Sequence, residues 1–166
     1  TGNKGGYKKR KALHVVPVGV GHEHDTLLNG LFATHASTLA AMGDRHDWGL
    51  VQRLDKETSG LIAVTLSVAA YENLRAQFEA RRVRKFYYAV CARPPRTDKG
   101  VIKRAIVEDT KRTGKYTSVK TAKIATNAHP RSRAAVTAYR VLASNHLGCL
   151  IEARPVTGRL HQVRVH

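Results

Sequence analysis

Apolar residues recur at helical spacing in only two stretches of this chain, and most of what lies beyond Lys85 falls into short, strand-length runs. Leu27, Leu28, Leu31, Phe32 and Leu39 mark the first helix, with Asp25 and Thr26 as N-cap and an end near Met42-Gly43. Ala70, Tyr71, Leu74 and Phe78 form the apolar face of the second, capped by Ser67 and closing in Arg81-Arg82. Side-chain oxygens at an N-cap satisfy free amides, and cations suit the negative end of a helix. Runs of strands interrupted by two helices fold as α+β rather than as alternating βαβ units.

Strands are expected at Leu50–Leu54 and Leu61–Thr65, on either side of an Asp55–Gly60 turn, and at Lys85–Ala92, stopped by Pro94-Pro95. Val101–Val107 alternates as one further strand, and the charged stretch Glu108–Ser118 reads as a hairpin tip or an ordered loop. Ala134–Leu142 and Leu147–Ala153 read as an antiparallel pair joined through Asn145–Gly148. Leu13–Val20 contains Pro17 and Gly19 and fits an edge strand or a turn, while Asp44–Trp48 is polar and reads as a loop. A length of 166 residues suits one domain, residues 13–166, preceded by a flexible basic arm at 1–12.

Charge narrows the partner. Lys and Arg number 29 against 12 Asp and Glu, a formal excess of +17 that repels itself unless a polyanion is near. Phosphate neutralisation makes nucleic acid the favoured partner, with an anionic membrane surface as the rival. No apolar run approaches the roughly 20 residues that span a bilayer. Cys91 and Cys149 lie far apart without CxxC spacing, so neither a disulfide framework nor a zinc cluster is expected; both read as small apolar residues. The basic arm suits either phosphate tracking or targeting.

Several chemical signatures are incomplete. Thr113-Gly114-Lys115 lacks the earlier glycine of a phosphate loop, and His22-Glu23-His24 lacks a third ligand at metal spacing. Ser59-Gly60 is no nucleophile elbow, and Glu57 beside Asp55 has no spacing that makes an acid–base pair. Asp55 remains, a carboxylate between Arg53 and Lys56 where an apolar run meets small turn residues. By itself it reads first as a cap of its own turn, with Arg53 in a surface ion pair.

Two further segments carry groups that such a carboxylate could use. Lys85-Phe86-Tyr87 puts a cation and a phenol on one strand face. Thr157-Gly158-Arg159-Leu160-His161-Gln162-Val163-Arg164-Val165-His166 gathers donors and two arginines around a turn. With Gln52-Arg53-Leu54-Asp55-Lys56-Glu57-Thr58-Ser59-Gly60-Leu61 and the strand Val136–Leu142, these segments resemble the RluA-type RNA pseudouridine synthases, from about Val18 onward. That family's patterns are His-Arg-Leu-Asp-x-x-Thr-Ser-Gly-Leu, Lys-x-Tyr and Thr-Gly-Arg-x-His-Gln-Ile/Val-Arg-Val-His.

The resemblance implies a mixed, largely antiparallel central sheet with flanking helices, here as an incomplete copy. It implies isomerisation of uridine to pseudouridine without cofactor or metal, by breaking the glycosidic bond, turning the uracil and rejoining it through carbon. Asp55 would be the catalytic carboxylate, Arg164 its counter-ion, and Tyr87 the ring against the uracil. Arg53 would fill the stack vacated by a flipped base. Thr58, Ser59 and Gly60 would shape the loop around the substrate; Lys85, Arg159, His161 and Gln162 would contact phosphate or that loop. Attack on the sugar and assistance to elimination both stay open.

The implied partner is RNA, ribosomal ahead of transfer, within a ribosomal subunit or an assembly intermediate, in a mitochondrial matrix or cytoplasm rather than outside the cell. Gln52 stands where the family has His, and Val16-Pro17-Val18-Gly19 lacks the Lys of the family's Lys-Pro-x-Gly. Family members continue past the position of His166 into Gly-Asp-x-x-Tyr-Gly, so the chain is expected to be part of a longer protein. An RNA-binding assembly factor derived from such a synthase is the rival reading.

Overall fold

The computed structural model describes residues 26–55, 57–113, 116–126 and 130–166, with side chains at 109–120 left aside. The basic arm, Leu13–Val20, His22-Glu23-His24 and Gly114-Lys115 therefore lie outside the described residues. Two compact units divide at Ala80, and each is described by itself. Among the described residues no helix is long and apolar enough to cross a membrane.

The first unit is built on two helices, α1 (Leu27–Met42) and α2 (Val68–Glu79). Thr26 caps α1 by accepting from the Asn29 amide at 3.3 Å, while the Asn29 side chain accepts from the Thr26 amide at 3.0 Å. This reciprocal box uses Asn in the place usually held by Glu or Gln. Gly43, at φ 62°, ends the helix as its sequence position foretold. Ser67 caps α2 through the Ala70 amide.

Between the helices the polar stretch after Gly43 is no open loop. Asp44–Gly49 forms a 3-10 turn, and Asp47, Trp48 and Gly49 all take positive φ. The Tyr71 hydroxyl donates to Asp47 at 2.6 Å, tying the turn to α2, while Trp48 packs on the Leu28–Leu50 core. Only glycine fits at 49, because a Cβ there would stand 2.2 Å from the Thr65 carbonyl oxygen. A second core joins Met42, Val51 and Tyr71 to Ala63, Leu74 and Phe78.

The two strands expected around Asp55 do not form. Leu50 and Val64 make one isolated antiparallel bridge, and Thr65 donates to the Gly49 carbonyl through both its amide and its hydroxyl. Where a ladder would continue, the Leu61 carbonyl instead accepts from the Gln52 side-chain amide at 3.1 Å. A side chain stands in for a backbone donor, and beyond the Leu50–Val64 bridge the segment forms no ladder.

The described residues of the second unit form seven strands, and every ladder among them is antiparallel. They are β1 (Tyr87–Cys91), β2 (Lys99–Lys103), β3 (Ile106–Thr113), β4 (Tyr116–Ile124), β5 (Ser132–Arg133), β6 (Val136–Asn145) and β7 (Gly148–Pro155). One sheet has the order β1-β7-β6-β2 and the other β4-β3-β5. The α+β class and the antiparallel character stand as expected. The run Val101–Val107, read as one strand, is split at Arg104-Ala105 into β2 and β3, which serve different sheets. Apolar residues stand on both sides of the break, Val101-Ile102 before it and Ala105–Val107 after it, so composition alone does not show which sheet each half joins. The charged stretch Glu108–Ser118 does belong to a hairpin, but β3 and β4 take up most of it, down to the Thr113–Tyr116 pair.

The expected β6–β7 hairpin is present. It turns at His146-Leu147, with Asn145 Oδ1 accepting from the Leu147 and Gly148 amides, and carries a bulge between Val141 and Ala143. On its outward face Glu152 is covered by Arg140, held through both carboxylate oxygens at 3.1 Å, and by Arg154 at 2.7 Å. The hydrogen bond from Arg140 contributes most to holding the Glu152 carboxyl below its ordinary range, against the opposing pull of desolvation. A lowered carboxyl adds stability that is complete above the ordinary carboxyl value and is lost as pH falls through the lowered one. Glu152→Gln is therefore expected to flatten the acid side of the stability curve, read as urea midpoints across that pH range.

Candidate active site

In the first unit the residues of interest ride on the segment that leaves the buried Leu50-Val51 pair. Asp55 is half-buried, and its carbonyl accepts from the Thr58 amide at 2.9 Å, closing a tight turn. Thr58 is half-buried while Ser59 and Gly60 are exposed, so the turn presents small groups outward. Arg53 and Leu54 are half-buried on the same approach, and Gly60 lies against the Leu54 side chain. Gln52 clips this excursion shut by its bond to Leu61, nine residues along the chain. The Leu50–Val64 bridge at its base and the Gln52 clip above it both hold the Asp55 turn.

In the second unit three sequence segments converge. Lys85 reaches the Thr157 carbonyl at 3.5 Å, and its Nζ would stand 3.6 Å from a Cβ at Gly158. Burial of this ammonium lowers the Lys85 pKa. Tyr87 opens β1, paired in register with Ala153 of β7, and is half-buried. Lys85 and the Thr157–Arg159 turn, remote in sequence, are thereby neighbours across the end of the sheet.

The closing motif folds around Gln162. This residue is 4% exposed and begins α3 (Gln162–Val165), a single helical turn lying against β4 and β7. Its Oε1 accepts from the Thr157 hydroxyl at 2.7 Å and the Arg159 amide at 3.0 Å. Its Nε2 donates to the Val136 carbonyl at 3.0 Å and the Thr137 hydroxyl at 2.9 Å. Both ends of the amide are satisfied inside the protein. A helix this short cannot stand alone, so these bonds anchor it to β6.

The same network orients its neighbours. Arg159 Nε donates to the Ala134 carbonyl at 3.0 Å. His161 takes a left-handed backbone, φ 53°, where the turn passes into α3, and Arg164 lies exposed in the helix's last turn. Thr137, already accepting from Gln162, has its hydroxyl proton available for His166 Nδ1 at 2.8 Å. His166 Nε2 meets the Arg104 carbonyl at 3.0 Å, which can only accept, so the neutral ring carries its proton on Nε2. Thr137 and His166 gave no separate chemical signal in sequence. The bonding role of Gln162 was equally hidden, because its partners Val136 and Thr137 lie 26 and 25 residues upstream.

The segments that converge in the second unit and the Asp55 turn of the first are those that carried the resemblance, and comparison with known proteins decides what they belong to. The family model for RNA pseudouridylate synthase matches residues 7–166. The chain belongs to that family. The ribosomal large subunit pseudouridine synthase D of Blochmanniella floridana is 35% identical over 153 residues, covering 92% of this chain and 43% of that protein. The ribosomal large subunit pseudouridine synthase C of Rickettsia typhi is 36% identical over 121 residues, 72% of this chain and 37% of that protein. The chain thus spans less than half the length of these relatives. Among solved structures, human RNA pseudouridylate synthase domain containing 4 superposes with a TM-score of 0.65 at 26% identity, over 92% of this chain and 56% of that one. The RluA-type resemblance read from the motifs agrees with these matches.

Proposed function

We propose that this chain carries the catalytic machinery for isomerising uridine to pseudouridine in structured RNA, with ribosomal RNA of the large subunit as the substrate class. The observation that supports it most is the synthase family match over residues 7–166, which spans Asp55, Tyr87 and Arg164 in their motifs. In this reading the Asp55 carboxylate acts on the ribose side of the glycosidic bond, as nucleophile or as base, and offsets positive charge on the sugar. Tyr87 lies against the uracil, and Arg164 pairs with Asp55 and fixes its orientation. The base is reached by flipping it from the helix, at a cost of a few kcal/mol, and Arg53 fills the gap it leaves.

Lys85, Arg159 and His161 serve the RNA backbone and the turn that Lys85 already touches. Thr58, Ser59 and Gly60 give the substrate room beside Asp55. Gln162 acts through the Thr157–Arg159 turn rather than on the RNA, since its amide is fully bonded within the chain. The +17 charge supplies salt-dependent affinity for the phosphate backbone. No metal or cofactor is assigned a step, and the activity belongs to a cytoplasmic or mitochondrial setting.

Carbodiimide-dependent primer extension on ribosomal RNA from cells lacking the protein, and from cells supplied with it or with Asp55→Asn, tests this reading. Pseudouridine that depends on Asp55 supports it. An unchanged pattern at every uridine overturns it and leaves a structural role in subunit assembly. Gln52, placed where the family has His, is expected to act as a loop clip in this reaction. Loss of one such bond is worth about 1 kcal/mol, or roughly fivefold in rate. Gln52→Ala should show that loss in single-turnover assays, while Gln52→His, which keeps a ring N–H, should recover most of it.

A further inference from the structure

Cys91 ends β1, Cys149 stands one residue into β7, and the two are direct partners in the antiparallel register. The sequence separates them widely, yet the fold sets one thiol opposite the other, both reduced. Opposed residues in antiparallel strands have Cα atoms about 4.5 to 5.5 Å apart, inside the roughly 4.4 to 6.8 Å that a disulfide spans.

The two thiols also differ in a useful way. Cys149 is 3% exposed, and its S–H donates to the Arg93 carbonyl at 3.5 Å. Cys91 is only half-buried and open to a reagent from outside. Burial first, and then the adjoining Cys149 thiol, raise the Cys91 pKa. Little thiolate is therefore present at neutral pH, and reaction should quicken as pH rises.

We infer that Cys91 and Cys149 form a redox-modifiable pair, in which a small disulfide compound oxidises Cys91 and Cys149 resolves it into a cross-strand disulfide. The Cys91 thiolate attacks one sulfur of the small disulfide, forming a mixed disulfide and releasing one thiol. Cys149 then gives up its proton and attacks the Cys91 sulfur, expelling the second thiol. Two protein thiols are oxidised and one external disulfide is reduced to two thiols. The bond would lock β1 to β7 at the opposite end of β1 from Tyr87, and so stiffen the pair of strands that frames the Lys85–Thr157 contact.

The test uses the whole native chain with oxidised glutathione as the probe, followed by acid quenching, intact mass and non-reducing peptide mapping. The expected product is a monomer lighter by two hydrogens, with the Cys91 and Cys149 peptides joined, formed faster at higher pH. Its thermal midpoint should rise and return on reduction. Cys149→Ser should stop at a stable glutathione adduct on Cys91, and Cys91→Ser should resist the reagent. A wild-type protein that keeps the adduct, joins chains to one another or loses no thiols overturns the proposal.

Discussion

Asp55→Asn should abolish pseudouridine formation while RNA binding survives almost unchanged. The substitution keeps the size and shape of the side chain and leaves the Asp55 backbone carbonyl bonded to the Thr58 amide. What it removes is the negative charge and the nucleophilic oxygen. Losing one neutral donor to a transition-state charge commonly costs a hundred- to a thousandfold, about 3 to 4 kcal/mol. A full charge at the reacting sugar should matter more, so a loss of at least about a thousandfold in single-turnover rate is expected. Affinity for a target RNA, measured by filter binding over a salt series, should keep its slope, because that slope counts phosphates met by Lys and Arg. A variant that still converts uridine within tenfold of the parent would refute the assignment of Asp55.

The second large effect concerns stability. Gln162→Ala is expected to destabilise the second unit by about 3 kcal/mol, because it strands several buried groups at once. The Arg159 amide, the Thr157 hydroxyl and the Thr137 hydroxyl each lose a partner, and a small cavity opens beneath α3. Val136 is less affected, since its carbonyl also accepts from the Val156 amide at 2.9 Å. Gln162→Glu makes a sharper probe: it keeps an acceptor for Thr157 and Arg159 but loses both donors and buries a charge. Urea midpoints should fall for both variants, and catalysis should fall with them as the turn carrying Arg159 and His161 loosens. A midpoint within 0.5 kcal/mol of the parent, the usual range for surface changes, would show that the network is dispensable.

These two residues also mark how legible the molecule was. Asp55 stood out by local spacing, as an acid between cations before a run of small residues, and its motif could be matched without knowing any contact. Gln162 was legible as a motif member, yet its work depends on β6, which no spacing rule brings to it. Glu152 had a local hint in the Glu-x-Arg pattern of β7, but its second cation, Arg140, comes from the neighbouring strand. The segments flanking Asp55 misled as strands because apolar runs there serve two small cores instead of a ladder.

By itself the sequence determined both helices and their caps, since Thr26, Ser67 and Gly43 act on amides and carbonyls within a turn of themselves. It also determined the α+β class, the β6–β7 hairpin and the residues that place the chain in its family, all carried by short-range order. Tertiary structure alone decided that β2 and β3 part into separate sheets, that Gln52 closes the Asp55 turn, and that Cys91 faces Cys149. Those outcomes rest on register between segments far apart in the chain. Period-two alternation says which face a side chain takes but not which partner stands opposite it.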